Sequence, residues 1–174
     1  DKRMPEQRNR ILIDHMSDIL LPYNNYHREN LIRENIHPSK IFCTGNTTFE
    51  VMREFNTEIN NSEILKLLNL DSKEYILLTA HRSENVDNPM YLKQIITACE
   101  QLMKYFDCEI IYPMHPRTES KLSSLNIPKG LRIMKPLGFY DFNNLLKNSM
   151  CVVSDSGTAA EEGIFYKVPN VSLR

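Results

Sequence analysis

The chain has 174 residues, 41% of them hydrophobic and 25% charged, a balance that fits a folded globular protein and argues against a disordered tail. Its 21 basic and 22 acidic residues leave a formal charge of -1, so there is no global field to attract nucleic acid or anionic lipid. No secretory signal and no apolar run of about 18 residues is visible, which excludes an evident membrane span and makes the cytoplasm the simplest compartment.

The chain starts at Asp1 and not at Met, so an upstream targeting segment stays open. Cys43, Cys99, Cys108 and Cys151 form no CxxC pair and lack the spacing of a zinc site; the last three lie in apolar runs and read as small buried thiols.

In chain order, the pattern predicts a helix over 6–15, an apolar run DILLPY, a helix around 24–35 and a strand at IFCTG before Asn46. NTEINNSE (56–63) follows, where three asparagines interrupt the periodicity and mark a polar link and domain boundary. From Tyr75 onward, apolar strands at 75–80, 108–114, 131–136, 150–155 and 170–174 alternate with helical stretches, the signature of an α/β fold with a parallel sheet. Asn88 caps a helix with Pro89 at its first position, and Tyr91, Leu92, Ile95, Ile96, Cys99 and Leu102 share one face. Further helices are expected over 139–147 and 158–166. With only two strand candidates before residue 60, the chain reads as the tail of one domain followed by most of another.

Ligands of open parallel sheets bind beyond the carboxyl ends of the strands. Four such ends carry polar chemistry: 79–85, 112–117, the 136–142 turn and VVSDSGTAAEEG (152–163). In the last of these, Ser156, Gly157 and Thr158 fall where a strand turns into a helix, and free N–H groups, the helix dipole and a missing Cβ suit a phosphate. A capped helix with Glu161 and Glu162 matching the dipole in its first turn explains the same letters equally well. His81-Arg82 can supply an imidazole and a fixed cation, or merely a loop cap and a solvated charge. His115, between Pro113 and Pro116, is equally open. No HExxH or close ligand pair supports a metal. Glu6 follows Pro5 at a helix start, where helix initiation is the default explanation, and His15, His27 and His37 have no partner at an informative spacing.

Together MPEQRNR, IFCTGNT, LLTAHRSEN, IIYPMHP and VVSDSGTAAEEG resemble, in order and approximate spacing, the bacterial non-hydrolysing UDP-N-acetylglucosamine 2-epimerases. The resemblance runs along essentially the whole chain. It implies a glycosyltransferase-B-like architecture of two Rossmann-like domains, with residues 1–58 ending the N-terminal domain and 59–174 forming the larger part of a truncated, UDP-binding C-terminal domain. It also implies C2 epimerisation of UDP-N-acetylglucosamine for surface polysaccharide precursors, no cofactor, and a homodimer at full length. Epimerases of 6-deoxy UDP-N-acetyl sugars share these motifs, and a non-catalytic UDP-sugar-binding module is the reading from a different class.

By the same resemblance, His81 is a catalytic and substrate-site residue, Ser156 and Gly157 belong to the loop holding the UDP phosphates, and Thr158 stands where many members have a second glycine. Glu162 corresponds to the glutamate that accepts from the ribose hydroxyls and Phe142 to an aromatic residue at the uracil end, while Leu137 replaces a glutamine found in some members. Glu6 corresponds to the catalytic carboxylate of a PE motif, with Gln7 where a second glutamate is frequent. Arg82 and His115 correspond to residues that hold a second, activating UDP-N-acetylglucosamine. The chain stops at Arg174, before a TERPE-like segment, so the resemblance implies a fragment inactive by itself.

Overall fold

The computed structural model describes residues 5–114, 118, 121–122 and 125–173, the side chains of Pro5 and Glu6 excepted. The chain divides into two compact units, Asp1–Val51 and Met52–Arg174.

In the first unit, α1 (Pro5–Met16) opens on a proline, whose missing N–H would have had no helical partner. Asn24 caps α2 (Asn25–Arg33), its side chain accepting from His27 N at 2.9 Å. The strand expected at IFCTG forms only a single parallel bridge, between Leu20 and Ile41. Two hydrogen bonds make it, Leu20 N to Lys40 O at 2.8 Å and Phe42 N to Leu20 O at 2.9 Å. The ladder ends there because Pro22 has no N–H to donate, and a 3-10 turn at Pro38–Lys40 bends the chain just upstream. His15 does have partners: its Nδ1 lies 2.9 Å from Ile11 O and its Nε2 3.1 Å from Glu34 O. Two carbonyl acceptors require both ring nitrogens to donate, which raises the imidazole pKa above its usual value.

The second unit begins inside α3 (Thr47–Glu54). Residues 56–63, expected as a polar link, are mostly helical: α4 (Asn56–Asn61) precedes α5 (Ile64–Leu68). The one apolar side chain of α4, Ile59, is fully buried, and its carbonyl accepts from Asn144 at 2.6 Å. Ser62 Oγ donates to Asp141 at 2.6 Å. One buried isoleucine and a few polar anchors stabilise a helix too short for its periodicity to register.

Each expected strand of this unit forms, trimmed at its ends: β1 (Tyr75–Thr79), β2 (Glu109–Pro113), β3 (Leu131–Met134), β4 (Cys151–Ser154) and β5 (Asn170–Ser172). They make one parallel sheet in the order β3-β2-β1-β4-β5. The short α6 (Ser83–Val86) follows β1. Next comes α7 (Pro89–Phe106), capped by Asn88, whose side chain accepts from Met90 N at 3.0 Å, and ended by Asp107 at φ 49°.

Successive strand residues point to opposite faces, and both faces are covered. Ile76, Leu78, Ile110 and Tyr112 pack with Leu92, Ile96 and Cys99 of α7. Tyr75, Leu77, Ile111 and Val152 pack with Leu145 and Leu146 of α8 (Phe139–Asn148) and Ala159 of α9 (Gly157–Tyr166). This double burial is why the strands read as unbroken apolar runs. Each large side chain taken out of water contributes about 1.5–3 kcal/mol.

The chain steps outward from β1 to β2 and β3, then returns across β1 to β4. The winding therefore reverses between β1 and β4, and the carboxyl ends of those two strands are where an open α/β sheet receives its ligand.

Candidate functional site

Thr79 and Ser154 are paired at the ends of the two strands that flank the reversal. The loops that follow are tied together, Asp155 N donating to Thr79 O at 3.2 Å. The Asp155 side chain is fully buried. Its carboxylate receives His81 N at 3.2 and 3.0 Å, Arg82 N at 2.9 Å and Asn85 Nδ2 at 3.0 Å. Asn85 also donates to Leu173 O beyond β5, and the buried Tyr112 hydroxyl donates to Ala80 O at 2.7 Å. The His81 loop is thus fixed from the strands on both sides of β1. The imidazole itself projects outward, its side chain 58% exposed, with Nδ1 3.3 Å from Asp155 Oδ1.

Sequence reasoning gave Asp155 no role beyond the last position of the strand candidate 150–155. The signal it missed was an acid at the end of a buried strand, which must find several donors to be tolerated there.

Ser156 caps α9, accepting from Ala159 N at 3.4 Å, and its own N–H donates to Ser154 Oγ at 2.8 Å. Gly157 and Thr158 are exposed at the first two helical positions, where N–H groups have no carbonyl one turn back. The cap leaves these donors, and the positive end of the dipole, exposed beside the carboxyl end of β4. Because α9 begins at Gly157, its first turn contains no acidic residue, so the expected dipole-matching glutamates lie too far along.

Glu162 is only 6% exposed. Desolvation pushes its carboxyl pKa up to about 7, a hydrogen bond from Asn143 opposes the rise, and Glu161 adds to it. Three further polar atoms on α8, α9 and β5, Asn143 Oδ1, Tyr166 OH and Asn170 Nδ2, are buried without a hydrogen-bond partner among the described residues. Burial pushes the Tyr166 hydroxyl up to about 12, the charge of Glu162 contributing. A buried carboxylate with spare acceptor capacity suits hydroxyl donors.

Phe142 is half-buried and, like Leu137 and Met134, packs against the buried cluster that contains Leu145 and Leu146. Arg82 reaches Glu84 Oε1 at 3.5 Å. Glu6 lies on α1, in the first unit, with its side chain outside the described residues, and His115 falls outside them altogether. Cys99 is buried and its thiol is raised to about 11 by desolvation. Among the described residues no group of three or more His, Cys, Asp or Glu is placed to hold a metal ion, and no helix is long and apolar enough to cross a membrane.

A five-stranded parallel sheet, flanking helices and a winding reversal with an open helix N-terminus beside it define a Rossmann-like α/β unit, and the solved structures that share it are glycosyltransferase-B-like. The family model for UDP-N-acetylglucosamine 2-epimerase matches residues 1–174, and the chain belongs to that family. It is similar to the UDP-N-acetylglucosamine 2-epimerase of Methanocaldococcus jannaschii, 36% identical over 183 residues that cover 100% of this chain and 50% of the relative. It is also similar to the UDP-2,3-diacetamido-2,3-dideoxy-D-glucuronate 2-epimerase of Pseudomonas aeruginosa, at 31% identity over 99% of this chain and 48% of the relative.

The solved structure of the M. jannaschii enzyme in complex with UDP-GlcNAc and UDP matches with a TM-score of 0.87, covering 100% of this chain and 50% of that one. The structure of the Rickettsia bellii UDP-N-acetylglucosamine 2-epimerase matches with a TM-score of 0.87 at 32% identity, over 100% of this chain and 47% of that one. The chain spans about half the length of the curated relatives it matches.

Proposed function

We propose that the protein carrying this sequence interconverts UDP-N-acetylglucosamine and UDP-N-acetylmannosamine by inversion at C2, the reaction for which its relatives are named. One observation carries the reading: in a member of this family, His81 and the open N-terminus of α9 flank the winding reversal, where an α/β sheet receives its ligand.

The chemistry sets the order of events. The C2 hydrogen is not beside a carbonyl, so its direct removal faces a prohibitive barrier. Breaking the C1–O bond first sends the bonding electrons to UDP and builds positive character at C1, which makes the C2 proton removable. A base takes that proton, leaving 2-acetamidoglucal and UDP. UDP then re-adds at C1 while an acid returns a proton to the opposite face of C2. The protein must stabilise the departing diphosphate and place acid/base groups on both faces of the sugar.

Ser156, Gly157 and Thr158 would hold the diphosphate through hydroxyl and N–H donors. Glu162 would accept from the ribose hydroxyls, Phe142 would back the uracil end, and His81 would meet the diphosphate from the loop after β1. Glu6, on α1, would serve as one of the proton-carrying carboxylates. Arg82 and His115 would contribute to a site for an activating second UDP-N-acetylglucosamine, in a cytoplasmic homodimer that supplies surface polysaccharide precursors without a cofactor. Escape of the intermediate would turn epimerisation into hydrolysis, so the site has to close during turnover.

Incubating the protein with UDP-N-acetylglucosamine in D₂O and following it by proton NMR tests the reading. Deuterium should enter C2 as the manno epimer appears. An epimer that retains hydrogen at C2, or release of UDP without epimer, refutes it.

A further inference from the structure

The histidine in the loop after β1 is exposed, yet one of its ring nitrogens faces a buried carboxylate. We propose that Asp155 is a positioning residue that holds His81 in the tautomer protonated on Nδ1, so that Nε2 is the nitrogen turned toward the substrate. This rests on the reading of His81 as a substrate-site residue.

A fully buried carboxylate is tolerated only with its lone pairs engaged. Oδ2 of Asp155 has three donors, His81 N at 3.0 Å, Arg82 N at 2.9 Å and Asn85 Nδ2 at 3.0 Å. Among the described residues, Oδ1 receives only the longer branch of His81 N, at 3.2 Å. That oxygen keeps acceptor capacity, and the His81 Nδ1 stands 3.3 Å from it. A lone pair on Nδ1 would face those of an anion, so the proton belongs on Nδ1. At 3.3 Å the pair is a close polar contact and not an aligned hydrogen bond, so the tautomer is set by the repulsion that an Nδ1 lone pair would meet.

With Nδ1 protonated, the neutral ring keeps its lone pair on Nε2, and a proton taken up there makes Nε2 a donor toward the diphosphate oxygens. The arrangement also joins the loops after β1 and β4, because Asp155 sets the ring while its neighbour Ser156 caps α9.

The competing view is that Asp155 only clamps the loop backbone, and Asp155→Asn separates the two. An asparagine can give its carbonyl oxygen to the three N–H donors on Oδ2, which places its NH₂ where Oδ1 was. That group donates, so the ring must offer a lone pair at Nδ1 and carry its proton on Nε2. A pure clamp survives the change, whereas the positioning role is reversed.

The test combines two readouts. Two-bond proton–nitrogen correlation spectra of ¹⁵N-histidine-labelled protein, taken at pH about 8.5 where ordinary imidazoles are neutral, report the tautomer, with His81 assigned by its absence from His81→Gln. Wild type should show the proton on Nδ1 and Asp155→Asn should show it on Nε2; a wild-type ring protonated on Nε2, or an even mixture, overturns the proposal.

In the epimerase assay, Asp155→Asn should lower kcat at least about tenfold while KM stays within about threefold, and a kcat within about twofold of wild type also overturns it. Should Asp155→Asn fail to fold, the wild-type spectrum decides alone. If the protein turns over no UDP-sugar, the functional reading falls, and the spectra still decide whether Asp155 holds the ring.

Discussion

Glu162→Gln probes the most unusual ionisable group of the site. Glu162 is 6% exposed and its carboxyl is pushed from 4.5 up to about 7, chiefly by desolvation. At about 1.4 kcal/mol per pH unit, ionising it in the folded protein costs about 3 kcal/mol more than in the unfolded chain. Between those two pH values the folded state keeps a proton that the unfolded state has lost, so this group's contribution to stability is full below 4.5 and disappears as pH rises through about 7.

Glutamine keeps the shape and removes the titration. Urea unfolding of both proteins across this range gives a difference curve in which the other titrations cancel. The variant should gain about 3 kcal/mol on wild type between pH about 4.5 and about 8. Parallel curves, agreeing within about 0.5 kcal/mol throughout, would refute the reasoning. Ribose hydroxyls can donate only to the ionised form without competing with its proton, so Glu162 should make UDP binding strengthen as pH rises through about 7 and release a proton, and Glu162→Gln should remove that share, leaving the titration of the terminal phosphate of UDP itself.

Four other outcomes follow from the same geometry. Tyr112→Phe strands the buried Ala80 carbonyl and should cost about 1–3 kcal/mol in urea unfolding, with no measurable loss counting against the clamp on the His81 loop. Leu77→Ala, at a fully buried position between β2 and β4, should cost about 2–5 kcal/mol by the same measurement. His15 has a raised pKa, so its bridge between two carbonyls is complete below 6.5 and lost as pH rises through the higher folded value; amide protection near Ile11 and Glu34 should weaken over that rise in wild type and not in His15→Leu. Glu161→Gln removes a charge that raises the Glu162 carboxyl, and should move the pH midpoint of UDP binding downward; an unmoved midpoint would remove Glu161 from that balance.

The strands of the second unit were legible because burial on both faces leaves no polar alternation to confuse the pattern, as in Tyr75–Thr79, where all but the last residue is buried. Asn88-Pro89 announced α7 by local chemistry alone. IFCTG misled because an apolar run records burial and not a partner, and Pro22 denies the partner its donor. In α4 the stabilising contacts come from Asn144 and Asp141, some 80 residues away in sequence.

The site divided along the same line. Ser156 as a cap could be read from its neighbours, whereas the importance of Asp155 depends on N–H donors 70 to 74 residues earlier in the chain. Glu161 and Glu162 are identical letters side by side; about 100° of helical rotation buries one and not the other, and only the packing of α9 decides which.

The burial of Glu162 also bears on how this edge can take a polyanion. Asp155 keeps its charge inside the fold, turned toward the N–H groups of the 81–82 loop, and the Arg82 cation is paired with Glu84. In the proposed site, anion binding at α9 would lean on the backbone donors of Gly157 and Thr158, which have no charge to spare for offsetting repulsion from a second carboxylate. A Glu162 carboxyl at about 7 is substantially neutral near neutral pH. It ionises most readily once hydroxyl donors arrive to stabilise the charge. The negative charge of Glu162 thus develops together with its own stabilisation, while an exposed glutamate one turn from the diphosphate would carry it from the start.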